Sequence, residues 1–208
     1  MNKAALIGTG ALGAGGTGIG GFFLLKPSGS EITFSQKYKS ALLDLSESSK
    51  DTSLWNSKFE SLKEKNPIHK KLQEAVGKVT SSPEEAKSLH KQGCKAIYGA
   101  SVESGKNYFN DFKSYCSKTV KEGTAGAWIS GAKTVTTDWN PSLTSLHGHQ
   151  GELHSDFETV KKTLTPSAFD DDQREKLRAL CETIGGELLE DDSLRIKSAQ
   201  SFCVKRSG

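Results

Sequence analysis

Apolar residues along this chain fall into two regimes. Residues 4–25, AALIGTGALGAGGTGIGGFFLL, carry no charge and no proline, whereas beyond Lys26 the apolar side chains recur at three- and four-residue steps in a polar background. Steps of that size gather side chains on one face of a helix. They predict a helix through Phe34, Tyr38, Ala41, Leu42 and Leu45, and a second through Leu54, Trp55, Phe59 and Leu62 that stops before Asn66-Pro67. A third puts Ile68, Leu72, Val76 and Val79 on one face. Ser82-Pro83-Glu84-Glu85 reads as a helix start, with an N-cap serine, proline in the first turn and acids at the positive end of the dipole. That helix should reach about Tyr98, and another should run over 103–120 with Tyr108, Phe109, Phe112 and Tyr115. Residues 123–151 are rich in Gly, Thr and Ser and read as a connector, in which Val135-Thr136-Thr137 resembles a strand without a partner. Helical spacing resumes at Leu153, Phe157, Val160 and Leu164, and two short helices fit 171–184 and 193–204.

The first regime is long enough to cross a membrane. Twenty-two residues at helical rise span about 33 Å, against a hydrocarbon core of about 30 Å. Glycine fills eight of the 22 positions and is a poor helix former in water. In lipid, however, an unpaired backbone group costs several kcal/mol, so helix is the favoured state even there. Gly16 and Gly20 form a GxxxG pair, flanked by the small stripe Gly13, Thr17 and Gly21, a spacing that lets two membrane helices approach closely. Gly8, Gly10 and Gly13 also match the dinucleotide fingerprint, but the residues after them have no polar face and no strand–helix alternation follows. A cleaved signal would need a pair of small residues at its end, where Phe22-Phe23-Leu24-Leu25-Lys26 stands instead. The expected fold is therefore mostly α, a single N-terminal transmembrane helix followed by a small helical domain. The segments are 1–25 (anchor), 26–30 (juxtamembrane linker), 31–122 (first helical unit), 123–150 (connector) and 151–208 (second helical unit). The domain is expected outside the cell.

Four cysteines sharpen this picture. Cys94 and Cys116 stand 22 apart, as do Cys181 and Cys203, and Ser114-Tyr115-Cys116 matches Ser201-Phe202-Cys203. The rhyme points to two duplicated helical-hairpin units, each able to bring its two cysteines side by side. Four cysteines allow three connectivities; the hairpin reading pairs Cys94 with Cys116 and Cys181 with Cys203, and buried thiols are the alternative. Bridges are favoured in an outward-facing domain.

Candidate chemistry is sparse. Without residues 1–25 the chain has 27 basic and 25 acidic side chains, interspersed, so no basic face for nucleic acid is expected. His147, His149 and His154, near Glu152 and Asp156, are the one group with metal-ligand character, in a segment that otherwise reads as a solvated loop. The runs 170–172 and 190–192 precede helices and read as caps, and Trp55, Trp128 and Trp139 read as core. His90 lies four residues before Cys94 on one helix, which does not by itself make a catalytic dyad. No cofactor and no enzymatic activity are expected.

The MNK start, the run ALGAGGTGIGG, the Lys/Ser/Glu-rich helical body with Trp-containing segments and the late cysteines together resemble the large families of uncharacterised paralogous membrane and surface proteins of haemotropic mycoplasmas. The resemblance is one of layout along the whole chain and carries no functional residues. It implies a membrane-tethered protein of a wall-less bacterium with a surface role at a host cell. The expected function is a non-enzymatic surface protein for adhesion, host interaction or antigenic variation. Its partners would be membrane lipid, a host protein, and a second copy through the glycine stripe. The alternative is a tethered binding module for a metal or small ligand.

Overall fold

Thr33 starts the folded body with a reciprocal cap: its side chain accepts from Gln36 N, and the Gln36 side chain accepts from Thr33 N. This satisfies two of the free amides at a helix start and nucleates α1 (Phe34–Lys37). The computed structural model describes residues 31–46, 48–165 and 168–206. The expected anchor at 4–25, with Gly13, Gly16, Thr17, Gly20 and Gly21, and the linker at 26–30 lie outside the described residues.

The helix expected through Leu45 is shorter, for a specific reason. After a 3-10 turn at Lys39–Ala41, Leu42 leaves helical geometry to form an antiparallel bridge with Ser117. Four more helices follow: α2 (Thr52–Leu62), α3 (Lys70–Lys78), α4 (Pro83–Gly99) and α5 (Phe109–Asp111), the last running into a π turn at Phe112–Cys116. The single helix expected over 103–120 is thus cut short, because Ser117 is drawn into the bridge with Leu42 and Thr119 caps a new helix. That helix is α6 (Val120–Gly123), followed by α7 (Thr136–Gly148), α8 (Ser155–Lys161), α9 (Asp171–Gly185) and α10 (Leu194–Phe202). The body is mostly helical, and among the described residues the only β pairings are isolated antiparallel bridges. None of the helices among the described residues is long and apolar enough to cross a membrane.

The backbone pattern of α1–α5 recurs in α6–α10. Thr119 repeats the Thr33 cap, with Glu122 in the role of Gln36. Thr33 bridges Ser101, and Thr119 bridges Leu188; Leu42 bridges Ser117, and Trp128 bridges Val204. The individual hydrogen bonds match as well. Phe34 N donates to Ala100 O (3.0 Å) and Val120 N to Glu187 O (2.9 Å). Lys118 N donates to Ala41 O and Lys205 N to Ala127 O, both at 2.7 Å. In α2 and α7 the sequences Thr52–Leu62 and Thr136–Leu146 share Thr, Trp, Asn, Ser and Leu at the same helical positions. Each tryptophan donates its indole N–H back to the segment after the bridge, Trp55 to Asp44 O (2.7 Å) and Trp139 to Gly131 O (3.1 Å).

This pattern relocates the segment expected to be a connector. Residues 123–150 contain the bridge residue Trp128 and the whole of α7, with Trp139, Leu143 and Leu146 fully buried. Val135-Thr136-Thr137, strand-like in sequence, is the N-cap and first turn of that helix. Pro141 sits inside α7 at its sixth residue, past the first turn, so its ring removes one amide from the helical ladder.

Disulfides join Cys94 to Cys116 and Cys181 to Cys203, the pairing read from the spacing. Closing a loop of this length contributes about 3 kcal/mol by the chain-entropy argument. Both bridges lie in one apolar cluster with Phe34, Phe112, Trp139 and Phe157. α3 and α4 pack closely enough that a Cβ at Gly93 would come 2.7 Å from Leu72 Cδ2.

One pair of matching positions differs in strength. The carboxylate of Asp111, 4% exposed, accepts from Ile68 N (2.8 Å) and His69 N (2.7 Å) ahead of α3. At the same distance before its second cysteine, Ser198 Oγ accepts from His154 N alone (3.2 Å). Leaving buried amides unpaired costs about 1–3 kcal/mol each. Asp111→Ala should therefore lose about 3 kcal/mol in urea unfolding and Ser198→Ala about 1 kcal/mol; equal losses would contradict this account.

Candidate functional site

α2 and α4 face each other across a cleft of about 380 Å³ lined by Thr52, Trp55, Asn56, Phe59, Lys87 and His90, among others. Helical spacing places these groups: Trp55 and Phe59 are one turn apart on α2, and Lys87, His90 and Lys91 share a face of α4. Lys91 Nζ lies over the Trp55 ring at 5.6 Å, and Lys87 pairs with Glu84 at 2.7 Å.

His90 forms the inner wall. It is 1% exposed, stands edge-on to Trp55 with ring centroids 5.3 Å apart, and packs against Phe59. A carbonyl can only accept, so Nε2 donates to Tyr115 O at 2.8 Å. Burial is the main cause that pulls the imidazole down to a pKa of about 4, with the Tyr115 carbonyl opposing it and Lys91 adding to it. Behind the ring lies the Cys94–Cys116 disulfide, and one nitrogen of His90 and the two sulfurs lie within 4.8 Å of one another. Among the described residues this is the one group of His, Cys, Asp or Glu side chains close enough to hold a metal ion. The i, i+4 spacing of His90 and Cys94 does not by itself make a catalytic dyad; the fold adds Cys116, through the disulfide, as a third group beside them.

Matched positions in α7 and α9 are chemically different. His90 lies four residues before Cys94, and the residue four before Cys181 is Leu177, fully buried. Lys87 corresponds in the same way to Arg174, which is 7% exposed and donates to Lys133 O, Phe169 O and Asn140 Oδ1 while pairing with Asp171. Asn140 matches Asn56, so the guanidinium crosses from α9 to α7 where α4 and α2 leave a cleft.

The three histidines weighed as metal candidates have structural roles. His147 lies in the last turn of α7. His149 ends that helix, stands edge-on to Phe202 at 5.3 Å and sets Nε2 3.4 Å from Glu152 O. His154 caps α8 through Nδ1, which accepts from Asp156 N. Trp55, Trp128 and Trp139 are all buried, as core residues should be, though Trp55 also borders the cleft. Asp170 caps α9 reciprocally with Gln173.

No family model, curated protein or solved structure matches this chain.

The depressed His90 has a definite pH consequence. An imidazole that stays neutral in the fold contributes stability fully above its unfolded pKa of about 6.5; that contribution drains away as pH falls toward the folded value of about 4. His69, also lowered chiefly by burial, acts in the same direction. Between pH 7 and 4.5 the His90 contribution amounts to about 2–3 kcal/mol. Urea titrations should show His90→Leu losing less stability than wild type by that amount over the interval, and parallel losses would remove the assignment.

Proposed function

We propose that the chain is a membrane-tethered, non-enzymatic surface protein whose helical body faces the outside of the cell for adhesion, host interaction or antigenic variation. The pairing of all four cysteines into two bridges supports this reading most directly, because disulfides persist in oxidising surroundings and are rare where thiols are kept reduced. The uncharged stretch at 4–25 supplies the tether, in contact with membrane lipid. Gly13, Gly16, Thr17, Gly20 and Gly21 would let two tethers pair. We infer further that the body arose by duplication of a unit of roughly 86 residues, on the strength of the matching caps, bridges and disulfides. A scaffold stapled twice from within can vary its exposed polar faces while its core stays fixed, which suits a surface that meets a host protein.

Alkaline extraction of isolated membranes should leave the full chain in the pellet, and an amine-reactive, membrane-impermeant label applied to intact cells should modify lysines between 31 and 206. Recovery in the aqueous wash, or labelling only after lysis, would remove the proposal.

A further inference from the structure

We propose that the Cys94–Cys116 pair, once reduced, forms with His90 a binding site for a thiophilic divalent cation such as zinc. The three side chains already converge within 4.8 Å in the oxidised protein. Two cysteines and a histidine are a preferred ligand set for zinc, with a fourth position left for oxygen. Tyr115 supplies that oxygen: its carbonyl lies 2.8 Å from His90 Nε2 and 3.6 Å from Cys94 Sγ. A tetrahedral ion set to the side of this hydrogen bond, with Nε2 and the carbonyl moved slightly apart, would meet nitrogen, oxygen and two sulfurs.

The other disulfide is an internal control. Cys181 and Cys203 are bridged at the matching positions with Leu177 where His90 stands, so a bridge of this kind does not require an imidazole beside it. Histidine at this position therefore has a use beyond filling space, and its side facing α2 lines the cleft that gives access from solvent.

The chemistry balances with a dithiol as reductant. Its two sulfurs become a disulfide, the Cys94–Cys116 bond breaks, and two protons pass with the electrons to give two thiols. The cation then displaces both thiol protons to solvent and the Nε2 proton moves to Nδ1, so that both sulfurs bind as thiolates and the ring binds neutral through Nε2. Exchange with a small-molecule disulfide, which leaves as two thiolates, restores the Cys94–Cys116 bond and releases the ion. The site forms only where a dithiol reaches the bridge, and its test on the purified chain does not depend on which side of a membrane the body occupies.

Cobalt(II) titration of the full chain in detergent, before and after dithiol reduction, tests this. The reduced chain should take up one cobalt per molecule, with sulfur-to-cobalt charge-transfer absorption and the intense visible bands of a tetrahedral site, and zinc should displace it. The oxidised chain should show neither band. His90→Leu, the residue found at the matching position, should weaken cobalt binding at least tenfold, and the Cys181→Ser/Cys203→Ser variant should bind as wild type does. Circular dichroism on the same samples covers loss of structure on reduction: zinc must then restore helix in wild type and fail to do so in His90→Leu. Absence of stoichiometric binding, binding that His90→Leu leaves unchanged, binding that depends on Cys181 and Cys203, or no recovery of helix would each overturn the proposal.

Discussion

Two short ties hold this body, each a sulfur bridge from the middle of a long helix to the residue that ends a later one, with backbone hydrogen bonds following at once. Cys116 is bonded to Cys94 on α4, and the next two residues pair with Leu42 and Ala41. Cys203 is bonded to Cys181 on α9, and the next two pair with Trp128 and Ala127. The chain is 34% hydrophobic, so apolar burial alone offers little against the entropy of ordering. Closing these loops covalently narrows the unfolded ensemble. The following amides then dock where the sulfur has already placed them, and the short helices α1 and α6, too brief to persist alone, are pinned beside them.

On this recurring backbone pattern the two sets of helices differ in polarity. α1–α5 carry buried ionisable groups: His90 against its disulfide, Asp111 under the start of α3, and Tyr98, whose hydroxyl accepts from Leu43 N and donates to Cys116 O. Burial pushes the Tyr98 phenol well above its usual range, so it remains a donor at any ordinary pH. In α6–α10 the matching places hold Leu177, Ser198 and Gly185, and Ile129 N reaches Cys203 O directly at 2.8 Å. Contact between the two sets is itself partly ionic, through Lys58 and Glu122 at 2.8 Å. Lys58, 6% exposed, matches Ser142, whose Oγ is buried without a partner among the described residues.

Much of the helical order was legible because it depends on local spacing. α2, α4, α8, α9 and α10 follow from apolar steps, joined at α8 and α9 by side-chain caps within a few residues, whereas the expected Ser82 cap of α4 makes no capping hydrogen bond. α1 and α5 were misjudged in length because they end where a distant segment captures the chain, and no local pattern at Leu42 or Ser117 announces the other. α7 was hidden by Pro141 and a run of Thr and Ser, which read as loop. Yet the sequence does hold a clue: Thr-x-x-Trp-Asn recurs at Thr52 and Thr136, and comparing helices rather than cysteines would have shown it. The cysteine pairing was legible because 22 residues suit a hairpin. The gathering of His90 with Cys116 was not, since it depends on the fold of the intervening residues.

Tyr98 and Trp128 solve one packing problem from opposite sides. On α4 the ring of Tyr98 reaches the facing segment, where its hydroxyl accepts from Leu43 N; on α9 the matching residue is Gly185, where a Cβ would come 3.1 Å from the Trp128 ring that approaches from the facing segment. The large ring stands on the helix in one case and on the facing segment in the other. Exchange of α4 for α9 by recombination would therefore crowd two rings into one location and leave a void in the other. α4 and α9 are thus each fitted to their own facing segment, and neither helix can stand in for the other alone.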